Sequence, residues 1–209
     1  YKGIVANNII LDQSTSTRQL TAIISSDRVD LNDSLYIKNV NISNILRNDS
    51  LSLNVKLSNA DDANQLDLNG LVEFLPDTAN ISILPSNLKI NYQDWTIEEK
   101  VQIAFNKGKT RIDNFSLSSG KQEVKIDGII SEDPADVVTL ALENFNLKTV
   151  NPFLKSMGMT FSGTANGKTK VYGVLKSPQI TDSLRIDSLG FNDTYVGSLT
   201  DTSSFNSTS

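Results

Sequence analysis

The stretch FNLKTVNPFLKSMGMTFSGTANGKTKVYGVLKSPQI, Phe145 to Ile180, decides the fold. Its first half carries the one good helix signal in the chain. Asn151 suits an N-cap, Pro152 the first helical position, and Gly158 an αL residue that closes the last turn. Phe153, Leu154 and Met157 add a small apolar stripe, so the spacing predicts one short helix over Asn151 to Met157. The second half is punctuated by glycine and must be extended. Phe161, Gly163, Ala165, Gly167, Thr169, Val171, Gly173 and Leu175 share one face, and Thr164, Asn166, Lys168, Lys170 and Tyr172 share the other. So short a helix cannot be a core, and it is expected to plug the end of a sheet.

The same two-residue period runs outward in both directions. Leu51, Leu53, Val55 and Leu57 alternate with Ser52, Asn54, Lys56 and Ser58. Leu66, Leu68, Gly70, Val72 and Phe74 keep one phase through Asn69-Gly70, and Val124, Ile126, Gly128 and Ile130 keep it through Asp127-Gly128. Both dipeptides are strong hairpin signals. The unbroken phase favours continuous strands, with Gly70 and Gly128 on the inner face where another backbone or a ligand approaches; an αL turn at Gly128 is the alternative. Pro76 and Pro134 follow these glycines at equal spacing, a weak repeat of a hairpin-like unit, and further strands follow each proline (Ile81 and Ile83; Val138, Leu140 and Leu142). Leu88 to Tyr92, Val101/Ile103/Phe105 and Phe115/Leu117 lie between them, with a hairpin turn at Asn106 to Lys109. Trp95 is expected to pack over a sheet end.

Toward the N-terminus the pattern predicts a strand over Ile4 to Leu11, a loop over Asp12 to Thr17, a strand over Leu20 to Ile24 and a turn over Asp27 to Ser34. Asp27, Asp30 and Asp33 lack the central glycine and closing glutamate of a calcium loop, and read as a solvated turn. Toward the C-terminus, strands around Ile180 to Ile186 and Leu189 to Val196 precede a Ser-rich stretch. The expected organisation is a single elongated β domain over 1–199 and a disordered tail over 200–209.

Composition limits the function classes. The chain has 209 residues, a net charge of −5, no cysteine and no histidine. The acidic balance, without basic clusters interleaved with aromatics, gives no expectation of nucleic-acid binding. Without cysteine there are no disulfides, and with neither residue there is no Ser-His-Asp or Cys-His site and no thiolate or imidazole metal site. Glu98-Glu99 and Asp61-Asp62 are sequence neighbours, which face opposite sides of a strand and make no ready acid/base dyad. Gly167-Lys168-Thr169 lacks the rest of a phosphate-binding loop. No catalytic residue, metal ligand or cofactor is assigned, and the chain is read as not an enzyme. A carboxylate hydrolase is the one chemistry left open. The chain starts at Tyr1, has no apolar run approaching a membrane span, and reads as a soluble piece of something longer.

Several segments, in order, resemble the TamB family, the translocation and assembly module of the AsmA-like superfamily, and its Bacteroidetes-type members in particular. They are ILPSNLKINYQDWTI (Ile83 to Ile97), KQEVKIDGIIS (Lys121 to Ser131), LENFNLKTVNPFL (Leu142 to Leu154), FSGTANGKTKVYGVLKSPQI (Phe161 to Ile180) and LRIDSLGFNDTYVGSLT (Leu184 to Thr200). The spaced glycines from Gly163 to Pro178, following Asn-Pro-Phe-Leu, carry the most weight. The resemblance spans about Leu51 to Thr200 and brings no catalytic signature. It implies a periplasmic segment of a long, inner-membrane-anchored envelope protein. Such a protein is built as a long curled, mainly antiparallel sheet, a β-taco with an apolar groove. It is implicated in phospholipid movement between the membranes and in outer-membrane protein assembly with a barrel-inserting partner of the TamA or BamA type.

On that basis Leu66, Leu68, Val72, Val101, Ile103, Phe105, Val124, Ile126, Ile130, Val138, Leu140 and Leu142 are the expected lining of a groove for phospholipid acyl chains. Gly70, Gly128, Gly163, Gly167 and Gly173 are the expected structural glycines. Alternation alone fits a filled β-sandwich equally well, so the alternative is a sandwich acting as an adhesion or carbohydrate-binding module of a bacterial envelope protein. A piece cut from a continuous sheet is also expected to self-associate through its edge strands.

Overall fold

The computed structural model of the protein describes residues 4–30, 36–59, 62–76, 78–154 and 157–206. Lys155 and Ser156 of the expected helix, together with Asp33 and Asp61, lie outside them. The described residues are all-β, with one short helix, and the chain divides into two compact units, Tyr1–Lys100 and Val101–Ser209.

The first unit holds β1 (Val5–Asn7), β2 (Ile10–Ser16), β3 (Gln19–Asp30), β4 (Tyr36–Arg47), β5 (Ser50–Asn59), β6 (Gln65–Leu75), β7 (Thr78–Ile83), β8 (Ser86–Ile90) and β9 (Gln93–Ile97). β3, β4, β5 and β6 pair in sequence order. β1 and β2 both pair with β3, β6 pairs with β7 and β8, and β8 pairs with β9. The second unit is a simpler meander of β10 (Val101–Asn106), β11 (Lys109–Ser119), β12 (Gln122–Ile130), β13 (Val137–Asn146), β14 (Phe161–Tyr172), β15 (Gln179–Phe191) and β16 (Thr194–Asn206). Each of these strands pairs antiparallel with the next. Within each unit the strands form one continuous sheet, not the two facing sheets of a sandwich.

β6 and β12 run unbroken through Asn69-Gly70 and Asp127-Gly128, because a turn there would throw the apolar residues beyond it onto the wet face. The hairpin at Lys107-Gly108 forms as the sequence suggests, with φ of 41° and 81°. Elsewhere polar composition misleads. The strand expected over Ile4 to Leu11 breaks at Asn8 (φ 52°), and β2 continues through the supposed loop to Ser16. β2 is exposed along its whole length, so it has no dry face to mark it in sequence. Asp27 to Asp30, expected as a turn, lie in β3: Asp27 accepts a bond from the Asn8 amide at 2.8 Å, and the Ser26 hydroxyl donates to the Asn7 carbonyl at 2.6 Å. The stretch from Thr200, expected as a frayed tail, is strand to Asn206 because β15 is long enough to pair with it.

After β13 the chain makes a 3-10 turn over Leu147–Val150, capped by the Asn146 side chain, which accepts from Lys148 N at 3.0 Å. The helix α1 (Asn151–Leu154) follows. Asn151 is therefore not an N-cap. It is already helical (φ −57°, ψ −38°), and its amide spans both main-chain groups of Phe161, at 2.8 and 2.9 Å. The short helix is thus pinned where β14 begins.

β14 ends at Tyr172, so Gly173 and Leu175 are not on its face as expected. Gly173 (φ 55°) opens a turn in which its carbonyl accepts from Lys176 N and Ser177 N, both at 3.2 Å. Trp95 lies within β9, fully buried and paired with Leu88.

Candidate apolar face

In the second unit the pairing register collects the apolar residues into rows that cross the strands. Ile103 stands opposite Ile112, which faces Gly128, then Val138, Val171, Ile180 and Phe205. The next row is Phe115, Ile126, Leu140 and Thr169, and the next is Leu117, Val124, Leu142, Gly167 and Leu184. Phe105 and Ile130 meet across Thr110 on the same face. Eight of the nine residues expected here are half-buried or exposed. Val101 is the exception. It is completely buried and offers no surface to a ligand.

Leu66, Leu68 and Val72 belong to the first unit, on one face of β6. Leu66 lies between Leu57 and Leu88, Leu68 faces Val55, and Val72 lies between Leu51 and Ile81. All three are half-buried. A sealed core would leave such leucines and valines dry, and this face leaves them partly wet.

The glycines serve this face unequally. A β-carbon on Gly128 would sit 2.0 Å from the Val137 carbonyl oxygen, and one on Gly167 would sit 2.1 Å from that of Ser183. Gly163 has the same problem at 2.8 Å from Asp187 O. All three lie in strands at φ between 119° and 143°, where L-residues are strained. Gly128 is the strand residue with close backbone approach that the unbroken phase favours, not an αL turn, and its φ of 129° is one only glycine adopts easily. At Gly70 the expected close approach is missing: the nearest atom to a β-carbon would be 3.8 Å away. Gly173 serves its turn and not the face.

The alternation had hidden Ile112, Phe115, Ile186 and Leu189 as members of one arrangement. β11 carries a bulge between Ile112 and Phe115, and β15 carries one between Ile186 and Leu189. Each contains a residue at positive φ, Asn114 (63°) or Ser188 (57°). A bulge inserts one extra residue, so apolar residues three apart return to one face. The signal is present in sequence as Arg-Ile-Asp-Asn-Phe (111–115) and Arg-Ile-Asp-Ser-Leu (185–189). Partners catch the amides that bulges free. Asp127 accepts from Asn114 N at 3.2 Å, and Asn166 accepts from Asn144 N at 2.8 Å in the β13 bulge.

The opposite face is wet and charged. Same-strand pairs two residues apart, Arg111–Asp113, Glu123–Lys125 and Arg185–Asp187, close at 2.7 to 2.9 Å. Exposed pairs of this kind add little stability, and their effect is to keep that face hydrated. A hollow of about 460 Å³ there is lined by charged Glu123, Lys125 and Lys168 and also by Ala141, Leu142 and Gly167. The Lys125 ammonium, aided by the Ser116 hydroxyl, holds Glu123 below its ordinary value. Asn54 does the same for Asp67, Lys109 for Asp136, and Ser203 for Asp182. Each shift stabilises an anion, the opposite of what tunes a carboxyl as a general acid.

No family model matches the chain, and neither a curated protein nor a solved structure matches it.

Proposed function

We propose that this chain is a segment of a TamB-like envelope protein, and that its apolar face carries phospholipid acyl chains through the periplasm between the inner and outer membranes. One observation carries the reading. Apolar residues run in register across the strands of one sheet, and most of them stay partly exposed, with Val101, Ala165 and Ile186 buried. Exposed apolar surface of this extent calls for a cover, and an acyl chain gains roughly 0.8 kcal/mol per methylene it buries there. The order of the segments from Ile83 to Thr200 supports the same family. In the longer protein the sheet would end on a barrel-inserting outer-membrane partner of the TamA or BamA type.

A photo-crosslinking residue in place of Ile126 or Leu140, on the apolar face, tests this in cells. Lipid adducts are expected at both positions and not at Lys125 or Thr139 on the opposite face. Equal labelling of the two faces, or no adducts at Ile126 and Leu140, refutes it.

A further inference from the structure

The middle row of the apolar face does not stay apolar. From Phe115, Ile126 and Leu140 it passes to Thr169 on β14 and then to Asp182 on β15, because directly paired strand residues share a face. Asp182 is half-buried. Its Oδ1 accepts bonds from Ser203 N at 2.9 Å and from the Ser203 hydroxyl at 2.8 Å, which fasten the carboxylate to β16. Both bonds favour its charged form.

Before its bulge, β15 turns four side chains to this face, and each meets a different partner on β16. Ile186 is 8% exposed and Ala165, opposite it on β14, is 1% exposed, so that row is already covered. Leu184 is half-buried but stands opposite Asp201. Asp182 is the third. Ile180 alone lies between apolar partners that are both open, Val171 on β14 and Phe205 on β16. β15 begins at Gln179, and same-face residues of a strand stand about 7 Å apart, so the open strip beyond Asp182 is one row wide.

Resting on the lipid-carrying role proposed above, we infer that Asp182 narrows the apolar path at β15, so that acyl chains cross this strand along Ile180 and not along Leu184. An acyl chain laid over Leu184 would strip water from two carboxylates, Asp182 beside it and Asp201 opposite it. One laid over Ile180 has a carboxylate on one side only and apolar neighbours on both adjoining strands, where each methylene gains by burial. The strip takes one acyl chain, so the two tails of a phospholipid pass β15 in turn.

A photo-crosslinking residue placed at Ile180 or at Leu184 tests this in cells. Both sites are half-buried, so exposure alone would label them equally. Lipid adducts at Ile180 should exceed those at Leu184 by about tenfold. Asp182→Leu should raise the Leu184 adducts several-fold and leave those at Ile180 unchanged. Asp182→Asn removes the charge but keeps an oxygen for Ser203 N, and should raise them part of the way even where the leucine variant folds poorly. Ile126 and Leu140 serve as reference sites. Adducts at the reference sites with equal labelling of Ile180 and Leu184 in the parent overturn the inference and leave the lipid-carrying reading standing. So does a Leu184 signal that neither Asp182 variant raises. A parent without adducts at the reference sites overturns both.

Discussion

Adding one methyl group at Gly128 should cost this protein a large part of its stability, and the magnitude can be worked from the sheet. The new β-carbon would lie 2.0 Å from Val137 O and 3.0 Å from both Val137 C and Val138 Cα, where ordinary contact begins at 3.4 Å. The shortfall is 3.4 − 2.0 = 1.4 Å, and every atom in the way is backbone. β13 cannot yield by that much without breaking register, because it is bonded to β12 on one side and to β14 on the other. Alanine at φ 129° adds about 1–3 kcal/mol of backbone strain, overpacking adds a similar amount, and a disturbed ladder bond adds about 1. Gly128→Ala should therefore destabilise by about 3–7 kcal/mol. Gly70→Ala is the control. Its nearest neighbour is 3.8 Å away and its φ is ordinary, so a gain of about 0.4–1 kcal/mol from the stiffer unfolded chain is expected. Urea titrations followed by far-UV circular dichroism measure both variants, and the fluorescence of Trp95, the single tryptophan, reports separately on the unit that holds Gly70. A Gly128→Ala midpoint matching the parent, or equal damage from Gly70→Ala, would refute the close approach of β12 and β13.

At the β11 bulge, Asn114→Ala should cost about 1 kcal/mol because alanine resists the αL backbone, whereas Asn114→Gly should cost almost nothing; urea midpoints compare the two. Asp136 accepts bonds from Lys109 at 2.6 Å and Ser131 at 2.7 Å, which lower it from its ordinary 3.8, so its contribution is full above pH 3.8 and is lost as pH falls below that value. Lys109, raised from 10.5 chiefly by Asp136, contributes below pH 10.5 and loses that contribution as pH rises further; in Asp136→Asn both dependences should shrink in a thermal-melt series against pH. Ile126→Asp should leave the sheet folded at a cost of about 1–2 kcal/mol, since its half-buried site lets the carboxylate reach water, while abolishing lipid adducts at Leu140; outright unfolding by circular dichroism would mean the face is sealed.

How legible this chain is depends on whether a residue's position is fixed by its own neighbours or by the next strand. The phase through Asn69-Gly70 and Asp127-Gly128 could be followed because each strand counts its own residues, and it outweighed two strong turn signals. The polar strand β2 could not be found that way. It lies at the sheet edge with both faces wet, and only its pairing to β3 makes it a strand. Asn151 was misassigned for a related reason, because its side chain answers Phe161, ten residues on, and not the helix start. The bulges went unseen because they disrupt the very period used to find strands. Among the described residues, seven of the twelve non-glycine positions at positive φ are asparagines, which tolerate αL better than other side chains. Much of the asparagine that resembles loop composition therefore lies at strand kinks and hairpin ends. This also explains why the expected groove lining was incomplete. A strict two-residue period puts Ile112 and Phe115 on opposite faces, and the extra residue at Asn114 returns both to the face of Ile126. The sequence loses its alternation at the very positions where the sheet keeps its apolar face continuous.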